Sequence, residues 1–262
     1  MYTQYENDYE AIIGEFLRST RQELGFTIAQ MQNLVDVSKK TWIEMEKGER
    51  NIKLHLIFWW AFSMGLSPYH YMAQTDYSKP LKLNKYKNLD QIKWCLLINR
   101  LAKKDLKQLA QMIKDVTGYS FSVPLENMYI TYAQRNTMYQ YVHSQDFYDN
   151  SGSVILDHLE SSGKTQVTLA SELGMSERNL RRIIYGLHQC NNVYFPRFYE
   201  LTGQPPLKSI KNKTHFKLRN LVEERVDLVA DLFKNTSKKQ LNAVYKDAQQ
   251  LENDPKWMQW FS

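Results

Sequence analysis

Lys164-Thr-Gln-Val-Thr-Leu-Ala-Ser-Glu-Leu-Gly-Met-Ser-Glu-Arg-Asn-Leu-Arg-Arg-Ile-Ile-Tyr-Gly186 is the stretch on which the reading of this chain turns. Leu169, Ala170, Leu173, Leu180 and Ile183 recur at three- and four-residue spacing, as on the inner faces of two short helices. Between them Gly174 is suited to leave a helix in the left-handed conformation, and Ser176 can cap the next helix through its hydroxyl. Two short helices joined by so tight a turn make a helix-turn-helix. With Leu180 and Ile183 inside, the second helix, 176–185, turns Glu177, Arg178, Arg181 and Arg182 outward. An arginine so placed can hold guanine through two parallel hydrogen bonds to O6 and N7.

The same arrangement occurs earlier in the chain. Thr27 and Gln30 form a capping box, Met31, Leu34 and Val35 give an inner face, and Ser38 caps a following helix, 39–47, that ends at Gly48. Trp42 and Met45 face inward there, so Lys39, Lys40, Ile43 and Glu44 face outward. A preceding helix begins at Glu10, carries Ile13, Phe16 and Leu17, and stops at Gly25. The two stretches align without a gap over about forty residues at one offset of 138 positions. That offset pairs Thr27 with Thr165, Ser38 with Ser176, Gly48 with Gly186, Gly65 with Gly203 and Pro68 with Pro206. Agreement of so many punctuating residues marks an internal duplication.

Within 24–72, Thr27, Ser38, Thr41, Glu46-Lys47-Gly48, Arg50 and Leu66-Ser67-Pro68 resemble the Cro/repressor (XRE) class of phage and bacterial regulators. The second unit resembles it more closely, through Ala170, Gly174 and Ser176. The first departs from the family at Ile28, Gln32 and Asp36, where Gln, Ala and Gly are usual. The resemblance implies a five-helix, lambda-repressor-like domain whose third helix reads DNA, with Arg50 placed for a phosphate. The second unit also resembles the helix-turn-helix of the AraC class, which requires a second motif downstream; none is found after Gly203.

Elsewhere the pattern is helical. Gly (10) and Pro (7) are scarce in 262 residues, so the expected fold class is all-α with almost no strand. Four segments are expected: a first helix-turn-helix domain over 1–75, a linker and helical middle over 76–150, a second helix-turn-helix domain over 151–210, and a C-terminal helical segment over 211–262. Residues 74–90 carry alternating lysines, as a solvated linker or a track along phosphates would. The middle reads as helices over 90–101, 105–117 and 124–143. The last of these carries Tyr129, Tyr132, Tyr139 and Tyr141, suited to a core, an interface or the wall of a pocket for an effector of unknown kind. Toward the end, Leu218, Leu221, Leu228 and Leu232 keep helical spacing, interrupted by Arg225 and widened by Val222, Val226, Val229 and Phe233. With Trp257, Met258, Trp260 and Phe261, this stripe suits packing on the rest of the chain or a homodimer through 214–261.

Net charge is +6, and its distribution is uneven. Residues 1–76 hold seven basic against ten acidic side chains, 77–150 eleven against six, 151–220 ten against five, and 221–262 six against seven. A basic surplus in mid-chain favours an anionic partner. No apolar run approaches the roughly 18 residues needed to span a bilayer, and residues 1–9 do not read as a leader. Cys95 and Cys190 stand apart, as reduced thiols of a cytoplasmic protein do. His188 and Cys190 form one short pair with no further metal ligands, and His188 occupies the place of Arg50 in the repeat. No phosphate-cradling glycine loop, HExxH, GxSxG or paired-carboxylate signature is present, so neither an enzyme nor a cofactor or metal site is expected.

The expected function is sequence-specific binding of double-stranded DNA by a transcriptional regulator. Arg178, Arg181 and Arg182 would choose bases, while Thr165, Gln166, Lys39 and Arg50 would grip the backbone. The two units are expected either as pseudo-twofold halves or as part of a pair of chains presenting four. An interaction protein of antitoxin type, one unit on DNA and the other on a protein, is the alternative; an RNA-binding module is a third.

Overall fold

The computed structural model describes residues 2–75, 83, 86–187, 190–204, 213–251 and 253–262. Most of the 74–90 linker lies outside the described residues, as do His188 and Pro206. The fold is all-helical; among the described residues β-structure is limited to two isolated bridges, Lys53 with Asn191 and Leu101 with Asn253.

The N-terminal helices are α1 (Tyr2–Glu23), α2 (Ile28–Val35), α3 (Lys39–Glu46), α4 (Leu54–Met64) and α5 (Pro68–Ala73). Their counterparts are α9 (Gln145–Ser162), α10 (Gln166–Leu173), α11 (Glu177–Ile184) and α12 (Tyr194–Thr202). The bounds of α10 and α11 fall 138 residues after those of α2 and α3 at both ends. The caps explain this register. Thr27 and Thr165 accept from the N–H groups of Gln30 and Thr168, and Ser38 and Ser176 from those of Thr41 and Asn179. Each first helix of a pair ends in the left-handed region, at Gly174 (φ 72°) or at Asp36 (φ 54°). Asp36 holds there the conformation that glycine adopts with less strain.

A second correspondence lies in how these pairs pack. Helix α1 crosses α3 so closely that a Cβ on Gly14 would stand 2.5 Å from the Met45 carbonyl oxygen. At Gly152 on α9 a Cβ would stand 2.2 Å from the Ile184 carbonyl oxygen on α11. Gly14 and Gly152 are again 138 residues apart. Helix α9, starting at Gln145, thus crosses the boundary expected at 151 and plays the part of α1.

The two interiors differ in chemistry at one point. Glu46 is buried on α3, where both carboxylate oxygens accept from Arg21 (2.5 and 2.9 Å) and Oε1 also accepts from Trp42 Nε1 (2.7 Å). The residues in the places of Arg21, Glu46 and Trp42 are Leu159, Ile184 and Leu180, all buried. The charged pair and its apolar replacement occupy the same place, as such exchanges can when both partners change together.

Between the units lie α6 (Leu89–Arg100), α7 (Lys103–Thr117), a 3-10 turn (Leu125–Met128) and α8 (Tyr132–Val142). The single helix expected over 124–143 is in fact broken: residues 129–131 are not helical, and Thr131 with Gln134 opens α8 through a capping box. The tyrosines there are engaged with protein, and Tyr129 and Tyr132 also line a surface pocket with Lys256 and Gln259. Tyr129 donates to Asp254 (2.7 Å), Tyr132 stacks on Trp260, Tyr139 packs on Trp59 and Trp260, and Tyr141 stacks on His215.

The C-terminal stripe is covered within the chain. Helix α13 (Lys213–Asn235) packs on α6 and α8, burying Leu218, Val222, Val226, Leu228, Val229 and Leu232, and α14 (Lys238–Ala248) packs on α7. Much of the apolar stripe that suggested a homodimer through 214–261 thus packs within the chain, while Phe216 stays exposed. Arg225, which interrupts the stripe, is buried with Arg135 around Asn99. Asn99 Oδ1 accepts from both guanidinium groups (2.8 and 3.1 Å), Arg135 reaches the Ser63 and Asn99 carbonyls, and Arg225 donates to the Met128 carbonyl at 2.7 Å. Ser63 and Asn99 lie in the last turns of α4 and α6, so the two cations meet the negative ends of two helices. Burial lowers the pKa of Arg135 to about 9 and of Arg225 to about 10.

Helix α15 (Pro255–Met258) and a closing 3-10 turn (Gln259–Phe261) cover α2. Trp257 and Phe261 pack on Phe26, and Trp260 on Trp59. The counterparts of Phe26 and Trp59 are Lys164 and Arg197, which hold Glu172: Lys164 through its carboxylate (2.8 Å), Arg197 through its carbonyl (3.2 Å). A charged surface there gives an aromatic segment nothing to dock on, which is why the closing turn covers only one of the two units.

Candidate nucleic-acid interface

Helix α11 presents the residues expected of it. Leu180, Ile183 and Ile184 are buried, whereas Arg178, Arg181 and Arg182 are exposed and Glu177 is half-buried. Arg181 donates to Glu177 at 2.7 Å, an exposed i,i+4 pair of small energetic weight. Arg178 and Arg182 have no ion-pair partner among the described residues. Ser176 and Thr165 are exposed and committed to their caps, and Gln166 is half-buried with its Oε1 enclosed and without a partner.

Helix α3 is closed in on itself. Lys39 and Lys40 are exposed, Ile43 and Thr41 are half-buried, and Thr41 Oγ1 lies 2.9 Å from Ser38 Oγ. Glu44 draws in Arg50, which donates to it at 2.9 Å, and Lys40 at 3.8 Å. Arg50, expected on a phosphate, is thus held by a carboxylate of its own surface. At the start of α2, Gln30 Oε1 accepts from the Thr27 N–H, so both residues serve the capping box.

Two features lie beyond the residues expected on α3 and α11. Asn179 and Tyr185 are exposed beside the arginines, and Tyr185, 56% exposed, lies three residues beyond Arg182 and seven beyond Arg178, on their face of the helix. That spacing is visible in the sequence. The other feature joins the units: Leu54 N–H donates to the Cys190 carbonyl (2.9 Å) and Asn192 N–H to the Ile52 carbonyl (2.8 Å). Between these bonds Lys53 faces Asn191, and Lys53 Nζ donates to Asn191 Oδ1 at 2.8 Å. Lys53 thereby meets its own counterpart in the repeat.

Among the described residues no cluster of three or more His, Cys, Asp or Glu side chains could hold a metal, and no helix is long and apolar enough to cross a membrane. Cys95 and Cys190 are buried free thiols, Cys190 donating to the Asn191 carbonyl. Comparison with family models, with curated proteins and with solved structures finds no match for this chain.

Proposed function

We propose that the chain is a sequence-specific regulator that binds double-stranded DNA, acting by binding rather than catalysis, through two lambda-repressor-like helix-turn-helix units. On this reading α11 enters the major groove with Arg178, Arg181 and Arg182 toward base edges, and α3 approaches the same duplex with Lys39 and Lys40. The observation that carries the reading is α11 itself: a short helix capped by Ser176, held from behind by α9, turning outward two arginines that have no ion-pair partner among the described residues. A short, rigidly backed helix with a cationic outer face is what groove reading requires; α7, by contrast, is long and pairs Lys107 with Glu126. Buried unpaired thiols agree with a reducing, cytoplasmic setting.

A second reading has one observation in its favour. Glu44 neutralises Arg50 and Lys40, leaving α3 a poor match for phosphate and a fair one for a protein surface, as in an antitoxin-type interaction protein. Selection of random duplex DNA at about 150 mM salt, with the Arg178→Ala/Arg182→Ala variant alongside, separates the two. An enriched motif that the variant loses supports the regulator; a folded protein that enriches no motif supports the interaction protein.

A further inference from the structure

We infer that one copy of this chain is its own dimer: a local twofold between Lys53 and Asn191 relates the two units, so a single chain spans a duplex site made of two unequal, inverted half-sites. This rests on the DNA reading above and adds to it the symmetry of the ligand and the stoichiometry of the complex.

The bridge supplies the symmetry. Segments 52–54 and 190–192 run antiparallel, and the bond from Leu54 to Cys190 is matched by the bond from Asn192 to Ile52. Exchanging each residue for the one 138 positions away converts either bond into the other. An antiparallel pair centred on two counterparts, with reciprocal bonds on either side, is exchanged by a twofold axis between the strands. Each segment also sits at the same place in its unit, between α3 and α4 or between α11 and α12.

The interiors of the units agree at points far from the bridge. Gly14 and Gly152 lie under the C-terminal turns of α3 and α11. Trp59 Nε1 donates to the Leu34 carbonyl (2.6 Å) and Arg197 Nε to the Glu172 carbonyl (3.2 Å), two bonds that the same offset superposes despite different side chains. The rotation that exchanges the two segments therefore exchanges the two units, and α3 with α11. Buried contacts fix the arrangement: Phe58 packs on Phe147 at 5.4 Å between ring centres, and Asn192 donates to Tyr9 Oη at 2.6 Å.

Dimeric helix-turn-helix proteins use such a twofold to match the one that a DNA duplex has in its backbone, and two identical chains then favour a palindrome. Here the symmetry is inside one chain and stops at the base-facing side chains. Lys39, Lys40, Ile43 and Glu44 correspond to Glu177, Arg178, Arg181 and Arg182, different at every position. A site fitted to this chain has halves in inverted orientation with unlike sequences, and the half under α11 carries more of the base information.

Native mass spectrometry of the protein on its selected duplex, together with affinities for duplexes carrying five extra base pairs between the halves, tests this. The pairing predicts one chain per duplex and a loss of roughly 100-fold or more on insertion, because half a helical turn takes one half-site out of reach of the linked unit. Two chains on a palindromic site, or an insertion that leaves affinity unchanged, would overturn the pairing while leaving the DNA reading in place. Selection that enriches no motif overturns the DNA reading and the pairing with it.

Discussion

Lys53 and Asn191 face each other across an antiparallel bridge although 138 residues separate them, and the flanking backbone bonds are reciprocal while their side chains are not. The backbone thus keeps a symmetry that the side chains have left. What holds the two units together is then the backbone pair and the apolar and polar contacts buried around it, with the Lys53 side chain an accessory.

Replacing Lys53 with Ala should therefore cost under about 1 kcal/mol, since the pair it makes is only part-buried. Asn192→Ala should cost about 1–3 kcal/mol, because the buried Tyr9 hydroxyl loses its donor. Urea unfolding of the two variants checks the order; equal losses would contradict it.

Glu46→Ala leaves the half-buried Arg21 and the buried Trp42 without this acceptor and should destabilise by about 1–3 kcal/mol. Arg21→Leu/Glu46→Ile installs the pair that the second unit carries as Leu159 and Ile184, and should recover the share of the loss due to Arg21 but not that due to the Trp42 N–H, whose counterpart is Leu180. Midpoints of denaturant unfolding for the single and double variants provide the comparison.

Helices α10 and α11 are legible to within about one residue, because Thr165, Gly174 and Ser176 announce the ends of α10 and the start of α11 in sequence. The break at 129–131 is legible too, in the Thr131–Gln134 capping box, but the apolar periodicity running through it suggests one helix. Glu46 is not: a carboxylate on a short helix reads as solvated, and its partner Arg21 is 25 positions away. The burial of the C-terminal stripe can be read from its width, whereas its partners α6 and α8 cannot, since periodicity marks a covered face without saying what covers it. In the interface, exposure of Arg178 and Arg182 follows from Leu180 and Ile183 facing inward. The capture of Arg50 by Glu44 does not follow, because it depends on the path of the chain after Gly48.

Gly14→Ala and Gly152→Ala should each destabilise by about 1–3 kcal/mol or more, as either Cβ meets a carbonyl oxygen of the helix beneath it. Gly163→Ala, by contrast, meets no atom within 4 Å and should reflect only the strain of its positive φ of 67°. Thermal unfolding of the three variants distinguishes close packing from backbone strain.

His55 lies at the junction of the units, 5.3 Å from His143 and 5.8 Å from Tyr148 between ring centres. Burial, then the neighbouring charges of His143 and Lys53, lower its pKa from 6.5 to about 4. The unfolded chain binds this proton more readily than the folded one, so stability should fall as pH drops from about 6.5 toward 4, by up to about 3 kcal/mol. His55→Gln should flatten that part of the pH profile of unfolding.

Glu44→Ala frees Arg50 and Lys40 and should tighten DNA binding. The dependence of log K on log salt should also steepen, by about 0.9 for each additional phosphate that the freed cations neutralise. Titrations at several salt concentrations measure both; a variant with unchanged affinity and slope would place α3 away from the duplex.

The most direct measurement is photocrosslinking of the selected duplex by a reactive side chain placed at position 40 or at position 182. A single chain should crosslink from both positions, with the two adducts on opposite halves of the same site. Crosslinks from position 182 alone, or from both positions to the same half-site, would contradict a chain that reads one duplex with two units.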